Sequence, residues 1–319
     1  MIALTVKKLT LAKFIGLLFS VAYGFFVIVS LQRLYSNGNG DIHAYVYYFG
    51  KNSLKELYSN FIFNGDYFFR VGFYLLKEYF NTETITLLSS LAFLISSIIF
   101  YIYSVNIKSG KYLIYLLPIL LMVFFTPTVT NLFASLIRSG LAFSLLMLAM
   151  INFKGVTKYI LFGLSSLIHL SMAPIIFLYI LFHMLNRIKA RSAFIVPLFV
   201  LLLYSFSIVL FSSVYKFNTI PASQGINFNL LILFIGILIL FTNIKVIKNI
   251  YGFISIGLIL IYFSGVIIDV SFIRYVGYSI LFYLFFLIDN GDLRTIQLFT
   301  VGYIPFFLTT FYFAITNVV

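Results

Sequence analysis

A chain of 319 residues that is 62% hydrophobic, 20% aromatic and only 9% charged is not a soluble globular domain, in which roughly a quarter of residues carry charge. A mean hydropathy of +1.10 and apolar runs near or above the roughly 18–20 residues that cross a bilayer make it a polytopic integral membrane protein. Without cysteine there are no disulfides, thiolate metal sites, cysteine nucleophiles or cysteine lipidation. Three histidines and eight acidic residues, with no HExxH run, DxD pair or Walker glycine loop, argue against metal or ATP hydrolysis.

In chain order, the apolar stretches 11–34, 84–106, 112–126, 131–152, 158–171, 173–186, 192–214, 227–243, 249–268, 272–288 and 295–316 predict an all-α fold of about eleven spans. They form one membrane domain over residues 1–319. The basic start and apolar run of the first stretch resemble a signal peptide, but the run is too long and no A-x-A site follows, so it reads as an uncleaved first helix.

Residues 36–83 form a larger loop that opens on the turn Gly38–Asn39–Gly40. Within it, 67–80 sets Phe68, Val71, Phe73, Leu75 and Leu76 beside Arg70, Lys77 and Glu78, which suits a helix lying at the lipid interface. The stretches 158–171 and 173–186 are each about 14 residues, shorter than a full span. They meet at Ser171–Met172–Ala173–Pro174 as short tilted helices or a broken, re-entrant pair.

Crossing the membrane at each span from a cytoplasmic N-terminus places 13 of the 21 basic residues inside, and every inner turn is basic: Lys108 and Lys111, Lys154 and Lys158, Arg187 to Arg191, Lys245 and Lys248, and Arg294. This is the positive-inside pattern. The net charge of +13 is therefore a topology signal and not a nucleic-acid footprint. The acidic residues run the other way: Asp41, Glu56, Asp66, Glu78, Glu83 and Asp269 lie outside. Acidic residues contribute little to orientation, so this asymmetry points to an outer-face site.

Ionisable groups within spans cost roughly 2.5–3.5 kcal/mol each on insertion scales. Arg138 is expected about two helical turns below the outer end of span 131–152, beside the small residues Ser135, Ser139 and Gly140. A planar donor fork in a low dielectric suits phosphate or pyrophosphate; a structural pairing with a buried acid or carbonyl is the alternative. His169, just before the Pro174 break, can donate to phosphate or relay a proton, or satisfy a carbonyl freed at the break. Asp269 and Arg274 frame another outer end and can pair with each other. No two histidines have metal-ligand spacing, and no metal or cofactor is expected.

Five short elements resemble the EpsG/Wzy family of bacterial polysaccharide polymerases. Asp41–Ile42–His43–Ala44–Tyr45 resembles the family's D-x-x-x-Y element, and Asp66–Tyr67–Phe68 its acidic-aromatic element. Arg138–Ser139–Gly140–Leu141–Ala142 resembles its R-x-G-x-A helix, His169–Leu170–Ser171 its H-x-S motif, and Arg274–Tyr275 its late arginine position. Ser139 stands where the family often has Gln, and Asp66 where Glu is common.

The resemblance implies a GT-C-like glycosyltransferase of the bacterial inner membrane, acting on undecaprenyl-pyrophosphate-linked oligosaccharide at the outer face. A flippase and a chain-length regulator are the partners it implies. Arg138, Arg274 and Arg70 would bind pyrophosphate, and His169, Asp41 or Asp66 would take the acceptor proton. Tyr45, Tyr67 and Tyr275 would contact sugar.

Three rivals share many of these features. A flippase or other transporter needs polar groups in both leaflets, and the inner half offers few beyond loop lysines. An O-antigen ligase also uses an outer-face arginine and histidine but hands the glycan to a different acceptor. A membrane O-acyltransferase is the third.

Overall fold

The computed structural model describes residues 2–38, 42, 43, 45, 46, 49, 67–107, 113–188, 236, 245–267, 273–290 and 292–316. Every element among the described residues is helical. The predicted spans 192–214 and 227–243 lie outside them, apart from Gly236, which is helical.

The helices are α1 (Ile2–Ser36), α2 (Tyr67–Phe80), α3 (Thr84–Val105), α4 (Leu113–Phe124), α5 (Pro127–Ala134), α6 (Ile137–Asn152), α7 (Gly155–Ile168) and α8 (Ala173–Ile188). Then come α9 (Lys245–Lys248), α10 (Ile250–Ile267), α11 (Ile273–Asn290) and α12 (Leu293–Thr316). A single 3-10 turn, Leu170–Met172, separates α7 from α8.

Lys13–Ser36 and Thr84–Val105 are each long and apolar enough to cross a bilayer, and Tyr115–Phe124 with Pro127–Ala134 makes a third crossing if the two halves serve as one span. Shorter apolar helices follow at Ile137–Asn152, Gly155–Ile168, Leu170–Asn186 and Ile250–Phe263. A 14-residue helix rises only about 21 Å against a hydrocarbon core of about 30 Å. Large apolar side chains stay exposed along one face of α1 (Phe14, Leu18, Phe25, Val29), of α7 (Val156, Tyr159, Ile160) and of α12 (Val301, Leu308, Tyr312). Apolar surface of this extent on successive helices belongs to a protein embedded in a membrane.

The chain gathers into two compact units. The first comprises Met1–Lys111, Phe124–Pro174 and Asn317–Val319, the second Tyr112–Val123 and Ile175–Thr316.

In the first unit α1 packs along α3, α5 rests on both, α6 packs on α3 and α5, and α7 packs on α6 and α2. Lipid tails are as apolar as Leu, so helices associate by close van der Waals approach, and α1 achieves it through Gly16, Ser20 and Gly24 at four-residue intervals. A Cβ on Gly16 would lie 2.6 Å from Ser104 Oγ, and one on Gly24 would collide with Ser97 Oγ and sit 2.7 Å from the Phe93 ring. Tyr23, fully buried, fills the adjoining core, its ring 5.4 Å from Phe100, 5.2 Å from Phe124 and 5.5 Å from Phe125.

In the second unit α11 is buried on all sides from Tyr275 to Ile288, as its uniformly apolar sequence requires. Ser255 and Ser279 bind it to α10 reciprocally. Ser255 Oγ donates to the Ser279 carbonyl at 2.9 Å, Ser279 Oγ to the Ser255 carbonyl at 2.8 Å, and the two hydroxyls lie 2.9 Å apart. Asn249 caps α10 by accepting from the Tyr251 N–H at 2.8 Å, and its amide donates to Asp289 at 3.4 Å.

Gly24→Leu should destabilise the first unit by about 1–3 kcal/mol, the usual cost of overpacking, read as a lower unfolding temperature of the purified protein in detergent. Gly72→Ala, on α2 with nothing within 4 Å of the new methyl, should leave that temperature unchanged or slightly raised.

Candidate functional site

Residues 131–152 were expected to form one continuous span, with Arg138 two turns inside it. The chain instead stops being helical at Ser135–Leu136, and Arg138 is the second residue of α6. Ser135 and Leu136 both donate their N–H groups to the Asn131 carbonyl, at 3.1 and 2.9 Å, which closes α5. The chain then folds back so tightly that a Cβ on Gly140 would lie 2.6 Å from the Leu132 carbonyl oxygen and 3.0 Å from the Phe133 ring. Glycine is what lets the first turn of α6 rest on the backbone of α5.

Arg138 is half-buried. Its Nε donates to the Tyr45 hydroxyl at 2.7 Å, and its Cζ lies 5.2 Å from the centre of that ring. A guanidinium beginning a helix adds its charge to the positive end of the helix dipole, and the two together favour an anion there.

The Tyr45 ring faces other rings, 6.2 Å from Phe49 and 5.9 Å from Phe69, and only 6% of the residue is exposed. Phe49 lies 4.4 Å from Phe73, and its carbonyl accepts from Lys77 Nζ at 2.7 Å. Three residues of the long loop, Ile42, Tyr45 and Phe49, are therefore buried, and the last two rest on α2. On its other face α2 leaves Phe68, Leu75 and Tyr79 exposed. These recur along one helical stripe, the arrangement expected of a helix at the lipid interface.

His169 ends α7. Its backbone is extended, φ −154° and ψ 119°; its N–H donates to the Ser165 carbonyl at 3.0 Å and its carbonyl accepts from Met172 N at 3.1 Å. The residue thus sits at the break itself, where the 3-10 turn Leu170–Met172 leads into α8. The buried Oγ of Ser171 makes no hydrogen bond.

Two contacts bring this end of α7 to Arg138. The two-residue link Phe153–Lys154 makes α6 and α7 antiparallel neighbours, and Ser165 Oγ donates to the Ala142 carbonyl at 2.8 Å. Ala142 lies four residues after Arg138 and Ser165 four residues before His169, so each functional side chain stands about one turn beyond the same hydrogen bond. Arg138 and His169 therefore occupy the same end of one helical hairpin. Lys158 Nζ, donating to the Met150 carbonyl at 3.2 Å, ties the opposite end.

Arg70 and Arg274 lie on other helices. Arg70 is half-buried on α2, whose first residue is Tyr67. Arg274 is the second residue of α11 in the second unit, half-buried, and Tyr275 beside it is buried with its ring 6.1 Å from Tyr278. Asp41, Asp66 and Asp269 lie outside the described residues. No group of three or more His, Asp or Glu able to hold a metal occurs among the described residues. His43 was not among the candidates, yet its Nε2 lies 2.6 Å from the Tyr35 carbonyl and its ring stacks on Tyr35 at 4.8 Å, securing the loop to the end of α1.

Gly140→Ala should push α6 away from α5 and cost about 1–3 kcal/mol, because the obstacle is a backbone carbonyl that cannot rotate aside. A fall in unfolding temperature larger than that of Gly163→Ala, whose site on α7 is open within 4 Å, checks it. No family model, curated protein or solved structure matches this chain.

Proposed function

We propose that the chain is a polysaccharide polymerase of the EpsG/Wzy kind, lying in the bacterial inner membrane with about eleven spans and its N-terminus cytoplasmic. It would transfer a growing glycan from undecaprenyl pyrophosphate to a new lipid-linked repeat unit at the outer face. The observation that carries this reading is the pairing of Arg138 and His169 at one end of the α6–α7 hairpin, next to two breaks in the helices.

In the proposed reaction an acceptor hydroxyl attacks the anomeric carbon of the donor. Its oxygen forms the new glycosidic bond, the bond from anomeric carbon to pyrophosphate oxygen breaks, and the electron pair leaves with the pyrophosphate. Arg138 would meet the negative charge developing on the leaving group, with Arg70 as a further cation. The hydroxyl proton would pass to His169, Asp41 or Asp66. Of the tyrosines expected to contact sugar, Tyr45 and Tyr275 are buried, which leaves that role to Tyr67. A cationic group in a low dielectric stabilises a pyrophosphate leaving group without a metal, which matches the scarcity of carboxylates in the sequence.

Arg138→Ala should collapse the surface polysaccharide ladder on a gel to single repeat units while the protein stays at its normal level in the membrane. Normal long chains from that mutant would refute the pyrophosphate role. Long chains retained on the carrier beside undecorated lipid core would mark a ligase instead.

The absence of cysteine allows the orientation to be read with single introduced thiols. In intact cells Glu83→Cys, exposed just before α3, should react with a membrane-impermeant maleimide. Lys154→Cys, in the α6–α7 link, should react only after the membrane is opened. The opposite labelling order would invert the topology.

A further inference from the structure

We propose that the lipid bilayer is thinned where it meets α7: the headgroup surface dips to the level of His169, and the α6–α7 hairpin crosses a shorter hydrocarbon layer than α1 does. The dip follows from helix lengths. Its assignment to the outer leaflet, where a lipid-borne substrate would meet Arg138 and His169, rests on the orientation proposed above.

Helix α1 runs unbroken from Lys13 to Arg33, both exposed, a rise of about 30 Å at 1.5 Å per residue. That matches the hydrocarbon thickness of an ordinary bilayer. Between the two cations its exposed large side chains are all apolar, from Phe14 through Val21 and Phe25 to Val29. Helix α7 belongs to the same compact unit. Yet Lys154, exposed at its start, and His169 at its end are only about 22 Å apart by the same measure. The other arm of the hairpin is short as well: α6 covers 16 residues, a rise of about 24 Å.

The exposed stripe of α7 is apolar over the whole of that shorter distance, through Val156, Ile160, Leu164 and Leu167. A Cβ on Gly163, within the stripe, would meet nothing within 4 Å, so this face looks outward to lipid. Tilting α7 would only shorten its projection, so the mismatch of about 8 Å falls to the bilayer. The end at which it falls is set by the side chains. Lys154 can extend its ammonium into the headgroups of its own leaflet. At the other end the helix breaks at His169, and Leu167 and Leu170 on either side of the break are exposed. Non-helical backbone open to its surroundings is stable at that level where headgroups and water reach it, and not against hydrocarbon.

The absence of cysteine permits single fluorescent labels on the full-length protein. Leu170→Cys and Val29→Cys lie the same number of residues beyond the lysines that begin their spans, Lys154 and Lys13, so a flat bilayer would bury both labels equally. Each bimane-labelled protein is placed in dioleoyl phosphatidylcholine nanodiscs containing lipid spin-labelled at the headgroup. Quenching should be about three-fold stronger at Leu170 than at Val29. The difference should vanish in dimyristoleoyl lipid, whose thinner core uncovers Val29 too. Leu167→Cys, on the same stripe, repeats the reading should Leu170→Cys fail to fold. Equal quenching at the two positions in the dioleoyl bilayer would overturn the dip. Quenching of Leu170 by aqueous iodide but not by the labelled headgroups would mark a water-filled pocket and overturn it as well. Shielding of Leu170 from both quenchers would mark a second protein surface over α7, with the same consequence. Nanodiscs expose both faces of the bilayer, so the result is independent of orientation and of glycosyl transfer: long chains from Arg138→Ala would end the polymerase reading and leave the dip standing.

Discussion

Hydrocarbon offers a peptide group nothing to bond to, so a chain inside it stays helical wherever it meets lipid and can depart from the helix only where other parts of the protein receive the freed groups. This constraint organises the first unit. Two of its departures, at Ser135–Leu136 and at His169, are closed by local bonds: the Asn131 carbonyl takes two donors, and the His169 peptide is secured on each side. An ionisable side chain lies at or just beyond each: His169 itself, and Arg138 at the second position of α6. A break gathers peptide dipoles whose bonding is no longer set by the helix repeat, and a charged group placed beside it is cheaper to bury than one in mid-helix.

Close packing is the second consequence. Without a hydrophobic gain between helices, contact depends on small residues that let backbones approach, and the same device recurs at different scales. Gly16 and Gly24 admit serine and phenylalanine side chains of α3, Gly140 admits a carbonyl of α5, and Ser165 reaches the backbone of α6. The placement of Arg138 follows from this packing, because the tight turn over Gly140 is what puts the arginine at a helix start.

Several features were legible in the sequence for identifiable reasons. The long apolar runs of α1 and α3 leave little doubt about length and period, and the proline at 174 announces the interruption after α7. The break at Ser135–Leu136 was not announced, since the residues there, Ser135 to Arg138, contain neither proline nor glycine; the signals were displaced to Pro127, which starts α5, and to Gly140, five residues beyond Ser135. Small residues at four-residue spacing in α1 were also a readable sign of helix contact. The bond from Arg138 to Tyr45 had no local sign at all. It joins a helix to a loop residue 93 positions away, and only the packing of the loop onto α2 brings the two together. Asp41 and Asp66 were singled out among the outer-face acids by the family elements they resemble, a property the sequence carries without the fold.

The serine pair of the second unit sets the mechanics of its hairpin. Sliding α10 along α11 would break the reciprocal bonds between Ser255 and Ser279 together, and both serines are shielded from water. A slip of even one residue is thus all-or-none, while a small rocking about the serines strains each bond only slightly. The two helices behave as a rod with a pin through it: they transmit displacement along their length as one body, and relative movement is left to rotation about the pin.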